Sequence, residues 1–140
     1  MRVLAFGSFD PLHKGHIDFL RQAKALGDYL TVVVAHDSAI YANKGYKPHQ
    51  SEEERMKAVA SVTYVDDVQL GNKTADPYQL LGELEFDIIA VGYDQAPSDE
   101  DIRQELDQRG KRTVKIVRLQ PFHPEKYKST FIRRNSPTAA

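Results

Sequence analysis

Three short stretches of this chain, 3–6 (VLAF), 30–35 (LTVVVA) and 88–91 (IIAV), are apolar almost throughout. A strand with one wet face alternates apolar and polar residues, so a continuous run reads as a strand covered on both faces, as in a parallel sheet. Two more alternating runs, 65–70 and 114–119, read as strands nearer a sheet edge. Between the strands lie helical patterns. Ile17, Leu20 and Ala23, with Ala25 or Leu26, recur at helical spacing, and Gly27 stands where a C-terminal cap belongs. Ser51 and Glu54 form a capping box ahead of Met56, Val59 and Ala60. Tyr78, Leu81 and Leu84 make a third stripe behind the start signal Asp76-Pro77, and 98–109 reads as a charged helix with Ile102 and Leu106 inward and Gly110 as its stop. Strands that alternate with helices require right-handed crossovers. The pattern therefore predicts an α/β fold with a doubly wound, five-stranded parallel sheet, which binds ligands at the carboxyl ends of the strands where strand order reverses.

With 140 residues the chain is about one domain long. Residues 1–134 read as that domain and 135–140, polar and ending in small residues, as a flexible tail. A formal net charge of −1 argues against nucleic acid as the main partner. The absence of cysteine removes disulfides, thiolate metal sites and a cysteine nucleophile together, and fits a reducing cytoplasm. No run approaches membrane-spanning length, so the expectation is a cytoplasmic protein with no membrane partner.

The segment GSFDPLHKGH follows directly on the first apolar run, at the predicted ligand edge of the sheet. Gly7 and Ser8 let the backbone approach a ligand, and the helix that follows offers free N–H groups and the positive end of its dipole. His13 and His16, three apart, can face one bound phosphate and donate to oxygens whose charge rises in a transition state. Taken alone, the pair fits a helix cap equally well. As a metal site it lacks a third ligand beside it.

In this setting GSFDPLHKGH resembles the G-[TS]-F-D-x-x-H-x-G-H signature of the cytidylyltransferase-like branch of the nucleotidyltransferase superfamily. Further segments resemble that family in order: AKALGDYLTVVVAHDS its first helix and second strand, NKGYKPHQSEEERMKAV its basic loop and Glu-x-x-Arg helix, and VGYDQ the end of its fourth strand. KYKSTFIR resembles a degenerate form of its Ser-Ser-Thr-x-Ile-Arg motif, with Tyr127 and Lys128 standing where isoleucine and the first serine are commoner. The resemblance implies a Rossmann-like nucleotidyltransferase fold and in-line attack of an acceptor phosphate oxygen on the α-phosphate of a nucleoside triphosphate, with loss of pyrophosphate. Such a transfer depends on positioning and electrostatics and needs no protein nucleophile.

Carried over by position, the resemblance makes His13, His16, Lys44 and Arg55 the catalytic group. Lys44 is expected in a loop near the phosphates, and Arg55 is expected to grip a phosphate through its planar fork, the alternative being a helix-surface pair with Glu52 or Glu54. Gly7, Ser8, Phe9, Gly15 and Asp94 would line the nucleotide, and Ser129, Thr130 and Arg133 would bind its β- and γ-phosphates. Asp10, Asp37, Lys44 and Tyr93 would meet the acceptor. A divalent cation, Mg²⁺, is implied, held mainly by the triphosphate with Asp10 as a further ligand. AHDS, KGYKP and VGYDQ together most resemble the archaeal-type FAD synthetase group, which implies ATP as donor and FMN as acceptor. That group commonly has cysteine near its last motif, and this chain has none. The alternatives are a CTP-using glycerol-3-phosphate or other alcohol-phosphate cytidylyltransferase, a non-catalytic nucleotide-binding module and a flavodoxin-like carrier. The resemblance also allows a homodimer, since many relatives pair. At this stage the expectation for His16→Ala is lost turnover with little cost in folding.

Overall fold

The computed structural model describes residues 1–73, 78–95 and 97–121, without the Asn43 side chain. Five strands form one parallel sheet: β1 (Arg2–Gly7), β2 (Tyr29–Val34), β3 (Asp67–Leu70), β4 (Ile88–Val91) and β5 (Lys115–Arg118), in the order β3-β2-β1-β4-β5. The three continuous apolar runs are the three central strands, and the two alternating runs are the edges. Successive residues of a strand point to opposite faces, so each central run feeds two cores. Val3, Ala5, Leu30, Val32, Val34, Ile88 and Ala90 pack on one side, and Leu4, Val33, Ile89 and Val91 on the other.

The first side is covered by α1 (Lys14–Lys24) through Phe19, Leu20 and Ala23, and by α3 (Glu52–Ala60) through Val59. The second is covered by Leu81 and by α4 (Asp99–Gln108) through Ile102 and Leu106. The sheet is thus doubly wound as expected, and its order reverses between β1 and β4. Among the described residues, no helix is long and apolar enough to cross a membrane.

Four local expectations are corrected. Helix α1 ends at Lys24, with Ala25 as a right-handed cap, so Gly27 is not the cap. Its hydrogen atom matters for space instead: a Cβ there would lie 2.5 Å from the Met1 carbonyl oxygen and 2.9 Å from Val3 Cγ2. The stripe of α1 runs through His16, Phe19, Leu20 and Ala23, leaving Ile17 at the surface. Tyr78, Leu81 and Leu84 do not share a long helix, because only the single 3₁₀ turn Gln79–Gly82 forms around buried Leu81, while Asp76 and Pro77 lie outside the described residues. Finally, Lys44 is in no loop. It is the last residue of α2 (Asp37–Lys44), a short helix capped by His36 at its start and by Gly45, at φ 79°, at its end.

Candidate active site

The turn that leaves β1 is built on a residue that sequence reasoning placed against the nucleotide. Phe9 has a positive φ of 53°, a conformation that costs a bulky residue on the order of 1–3 kcal/mol. Its ring is fully buried and meets the His16 ring edge-on at 5.2 Å, so packing holds the strained backbone. Phe9 therefore packs as a floor under His16. Gly7, the last residue of β1, is buried and its carbonyl accepts from the Ala35 N–H.

His13 is the N-cap of α1. Its Nδ1 accepts from the Gly15 N–H at 3.0 Å, while His16 Nδ1 accepts from the His13 N–H at 3.3 Å, which closes a reciprocal capping box. The two rings stack with centroids 3.7 Å apart. An imidazole whose Nδ1 accepts a hydrogen bond carries its proton, when neutral, on Nε2. His13 Nε2 is buried and has no hydrogen-bond partner among the described residues. An unmet buried donor costs about 1–3 kcal/mol, so this one is poised for an oxygen that the described residues do not supply.

Electrostatics keep both rings neutral. His16, only 4% exposed, has its pKa lowered to about 3 by burial and by neighbouring His13, against a raising hydrogen bond with the Pro11 backbone, and Lys44 lowers it further. Burial also lowers the pKa of His13. Lys44 stands at the exposed end of α2, near enough for its charge to act on His16. Helix α1 has no acidic residue in its first turn, whereas α3 and α4 each begin with three carboxylates. The positive end of α1 is thus left for an external anion.

A consequence for stability follows. Between pH 6.5 and about 3 the unfolded chain protonates His16 while the folded chain refuses the proton. The stabilisation is complete above the unfolded pKa and is lost as pH falls through that window, with a limiting slope of about 1.4 kcal/mol per pH unit for one proton. Denaturant titrations from pH 7 to pH 4 should show a fall in stability that shrinks in His16→Leu. An equal fall in both proteins would contradict it.

Arg55 is neither a surface partner of Glu54 nor an open fork. Its side chain is 0% exposed. Nε donates to the Gln50 carbonyl at 3.1 Å, Nη1 to the Ser8 carbonyl at 2.9 Å and Nη2 to Asp37 at 2.5 Å. The guanidinium thus ties the loop after β1 to the starts of α2 and α3. The two aspartates serve the same brace. Asp10 accepts from the His49 and Gln50 N–H groups at 2.7 and 2.8 Å, and Asp37 accepts from the Glu52 N–H at 3.3 Å while its own N–H donates to Glu52.

Across the point of reversal, the turn after β4 carries Tyr93 and Asp94, both exposed. Partial burial and the Asp94 charge raise the Tyr93 hydroxyl pKa. Sequence reasoning missed two residues that shape this turn. Gln95 bonds both strand ends, and Arg118 donates to the carbonyls of Gly92 and Gln95 at 2.7 Å each and pairs with Asp99. The signal for Gln95 was its place in VGYDQ, but its partner lies on another strand. Strand order sets the loop of Gly7, Ser8, His13 and Gly15, which follows β1, next to the turn of Tyr93 and Asp94, which follows β4. Ser129, Thr130 and Arg133, with Tyr127 and Lys128, lie outside the described residues, as does 135–140. Among the described residues no three His, Asp or Glu side chains gather to hold a metal.

Gly15 gives a clean test of the ring's placement. A Cβ there would lie 2.9 Å from His13 Cε1 and 3.1 Å from Nδ1, so the ring must shift. Alanine is the better helix former by about 1 kcal/mol. Gly15→Ala is expected to change thermal stability little, the helix gain offsetting strain on the capping bond, while kcat/KM falls about tenfold, and unchanged turnover would show that the ring position does not matter.

Comparison with known proteins completes the picture. Residues 4–135 match the family described as cytidylyltransferase-like. A FAD synthase of Methanosarcina barkeri is 47% identical over 118 residues, 84% of this chain and 82% of that protein. A FAD synthase of Thermococcus onnurineus is 39% identical over 125 residues, 89% and 83% of the two chains. A lipopolysaccharide core biosynthesis protein from Thermoplasma volcanium superposes with a TM-score of 0.80 at 39% identity, over 87% of this chain and 98% of that one.

Proposed function

This chain belongs to the cytidylyltransferase-like family, and from that premise we propose that it is an FMN adenylyltransferase, converting ATP and FMN to FAD and pyrophosphate. The observation that carries the chemistry is the buried His13 Nε2–H, without a partner among the described residues, at the start of a helix α1 whose first turn holds no carboxylate. The relatives that bear the name FAD synthase supply the donor and acceptor.

In this reading a phosphate oxygen of FMN attacks the α-phosphorus of ATP in line, and the bond to the bridging oxygen of pyrophosphate breaks. The phosphates would lie against the turn of Gly7 and Ser8 after β1 and the start of α1 at Gly15, whose N–H stays with His13. His13 donates its Nε2–H to an α-phosphate oxygen, and His16 fixes the neighbouring ring by stacking and by the capping box. Neutral rings suit this role, because a donor that keeps its proton gives a hydrogen bond that strengthens as charge develops. Lys44 brings a cation to the same side, and Ser129, Thr130 and Arg133 would take the β- and γ-phosphates. Tyr93 and Asp94 face the crevice where base or flavin ring would lie.

Arg55, Asp10 and Asp37 act through the loops that they hold. Both oxygens of each aspartate already accept from the protein, which suits a magnesium ion carried on the triphosphate's own oxygens. Asp10 would add one ligand through a remaining lone pair, and the ion when bound neutralises phosphate charge.

The test is pyrophosphate release with magnesium and either ATP or CTP, across FMN, glycerol 3-phosphate, phosphoethanolamine and a heptose 1-phosphate. FAD and pyrophosphate in equal amounts from ATP and FMN are expected. Release only with CTP and an alcohol phosphate would overturn the substrates while keeping the reaction class, and nucleotide binding without release in any mixture would favour a binding module.

A further inference from the structure

The sheet parts early at its centre. Pairing of β1 with β2 runs through Gly7 and Val34, and pairing of β4 with β5 through Val91 and Arg118, but pairing of β1 with β4 ends at Ala5 and Ala90. The gap so opened is where the strand order reverses. The Gln95 side-chain amide fills it: Nε2 donates to the Phe6 carbonyl at 2.9 Å, and Oε1 accepts from the Gly92 N–H at 2.8 Å. One planar group thus takes the place of a ladder hydrogen bond between two strands that have begun to diverge.

Both sides of this bridge are prepared. The Gln95 N–H donates to the Gly92 carbonyl at 3.1 Å, and Arg118 holds the carbonyls of Gly92, Gln95 and Pro97, so the turn that carries the amide is itself pinned. Behind the amide is a small cavity of about 70 Å³ whose other walls include Phe6, Leu81, Ile89, Val91 and Ile102. Loss of the amide would take from the Phe6 carbonyl and the Gly92 N–H the one group that joins them, and the two strand ends would be free to move apart.

We propose that Gln95 is a positioning residue for nucleotidyl transfer: its amide sets the width of the crevice between the β1 loop that carries His13 and the β4 turn that carries Tyr93 and Asp94. The inference rests on the transfer reading above. Two groups held on separate strand ends must meet in line, and a displacement of about 1 Å is enough to cost about a hundredfold in rate. The amide touches neither substrate in this role, so it governs the rate of the aligned complex more than the binding of either partner.

The test compares Gln95→Met, of similar length without hydrogen bonds, and Gln95→Glu, which keeps the acceptor and loses the donor. In both variants kcat with ATP and FMN, counted per folded molecule, is expected to fall about a hundredfold, while each KM changes less than about threefold. Hydrogen exchange at the Gly92 amide is expected to speed up at least about tenfold in Gln95→Met, with Ile89 and Ala90 unchanged. A lower melting temperature with kcat within about threefold of the parent would reduce Gln95 to a structural role and overturn the proposal. So would an unaltered Gly92 amide in Gln95→Met. Gly92 exchange reads the bridge whatever the acceptor, so a parent protein inactive on ATP and FMN would overturn the substrate reading alone.

Discussion

His13→Ala is expected to lower kcat for pyrophosphate release from ATP and FMN by about two to three orders of magnitude, the usual cost of removing one donor aimed at developing charge. The same substitution removes the N-cap acceptor for the Gly15 N–H and half of the capping box, at about 1 kcal/mol of stability. The two effects are separable, because a protein weakened by about 1 kcal/mol is still almost entirely folded at 25 °C. Turnover within about threefold of the parent, measured on folded protein, would remove His13 from the chemistry. His16→Ala is a less clean experiment than the sequence suggests. His16 is 4% exposed, stacks on His13 and rests on Phe9, so its removal opens a cavity as well as disturbing the neighbouring ring. Little cost in folding is no longer expected for it.

Arg55→Met is expected to have the largest effect on stability, about 3 kcal/mol, or about 10 °C in melting temperature for a chain of this size. The guanidinium is wholly buried and holds the carbonyls of Ser8 and Gln50 and the carboxylate of Asp37. Methionine fills much of the volume and leaves all three acceptors without that partner. Asp37 is 39% exposed, so water takes up part of its charge, and the cost falls at the lower end of the range for a broken buried pair. Arg55→Lys should recover only part of the loss, because a single ammonium cannot span three acceptors in a plane. Thermal unfolding of the three proteins at pH 7 reads this directly. A loss below about 1 kcal/mol in the methionine variant would show that the brace contributes little, and would return Arg55 to the phosphate-binding role that its motif suggests.

The parts of this account that were legible in the sequence are those whose physics is local. A central parallel strand is apolar along its length because both faces are covered, so β1, β2 and β4 were visible as runs, and their alternation with helices carried the doubly wound order. The histidine pair was visible for a similar reason: both rings lie within one turn of α1, where the structure shows them as its caps, and the phosphate role proposed for His13 is compatible with that.

What escaped was set by contacts between distant segments. Among its described side chains helix α2 buries Ile40 alone and so shows no stripe, although His36 and Gly45 mark its ends. Arg55 follows three glutamates and looks solvated, and it is buried only because Asp10 docks the start of α3 against the β1 loop. Gly27 looks like a helix stop, but what it meets is the first residue of the chain. The bridge of Gln95 depends on where two strands stop pairing, which no single stretch of sequence records.

The central claim is that two neutral imidazoles, each protonated on Nε2, form one side of a phosphate cradle, His13 as its donor and His16 as the ring that holds it in place. Nitrogen-15 NMR of histidine-labelled protein at pH 7, with and without a non-hydrolysable ATP analogue and magnesium, tests it most directly. The predicted result is a neutral Nε2–H form for His13 and His16 in the free protein, with the His13 Nε2–H resonance moving downfield when the analogue binds. A charged imidazolium, a proton on Nδ1, or a His13 signal that ignores the bound nucleotide would contradict it.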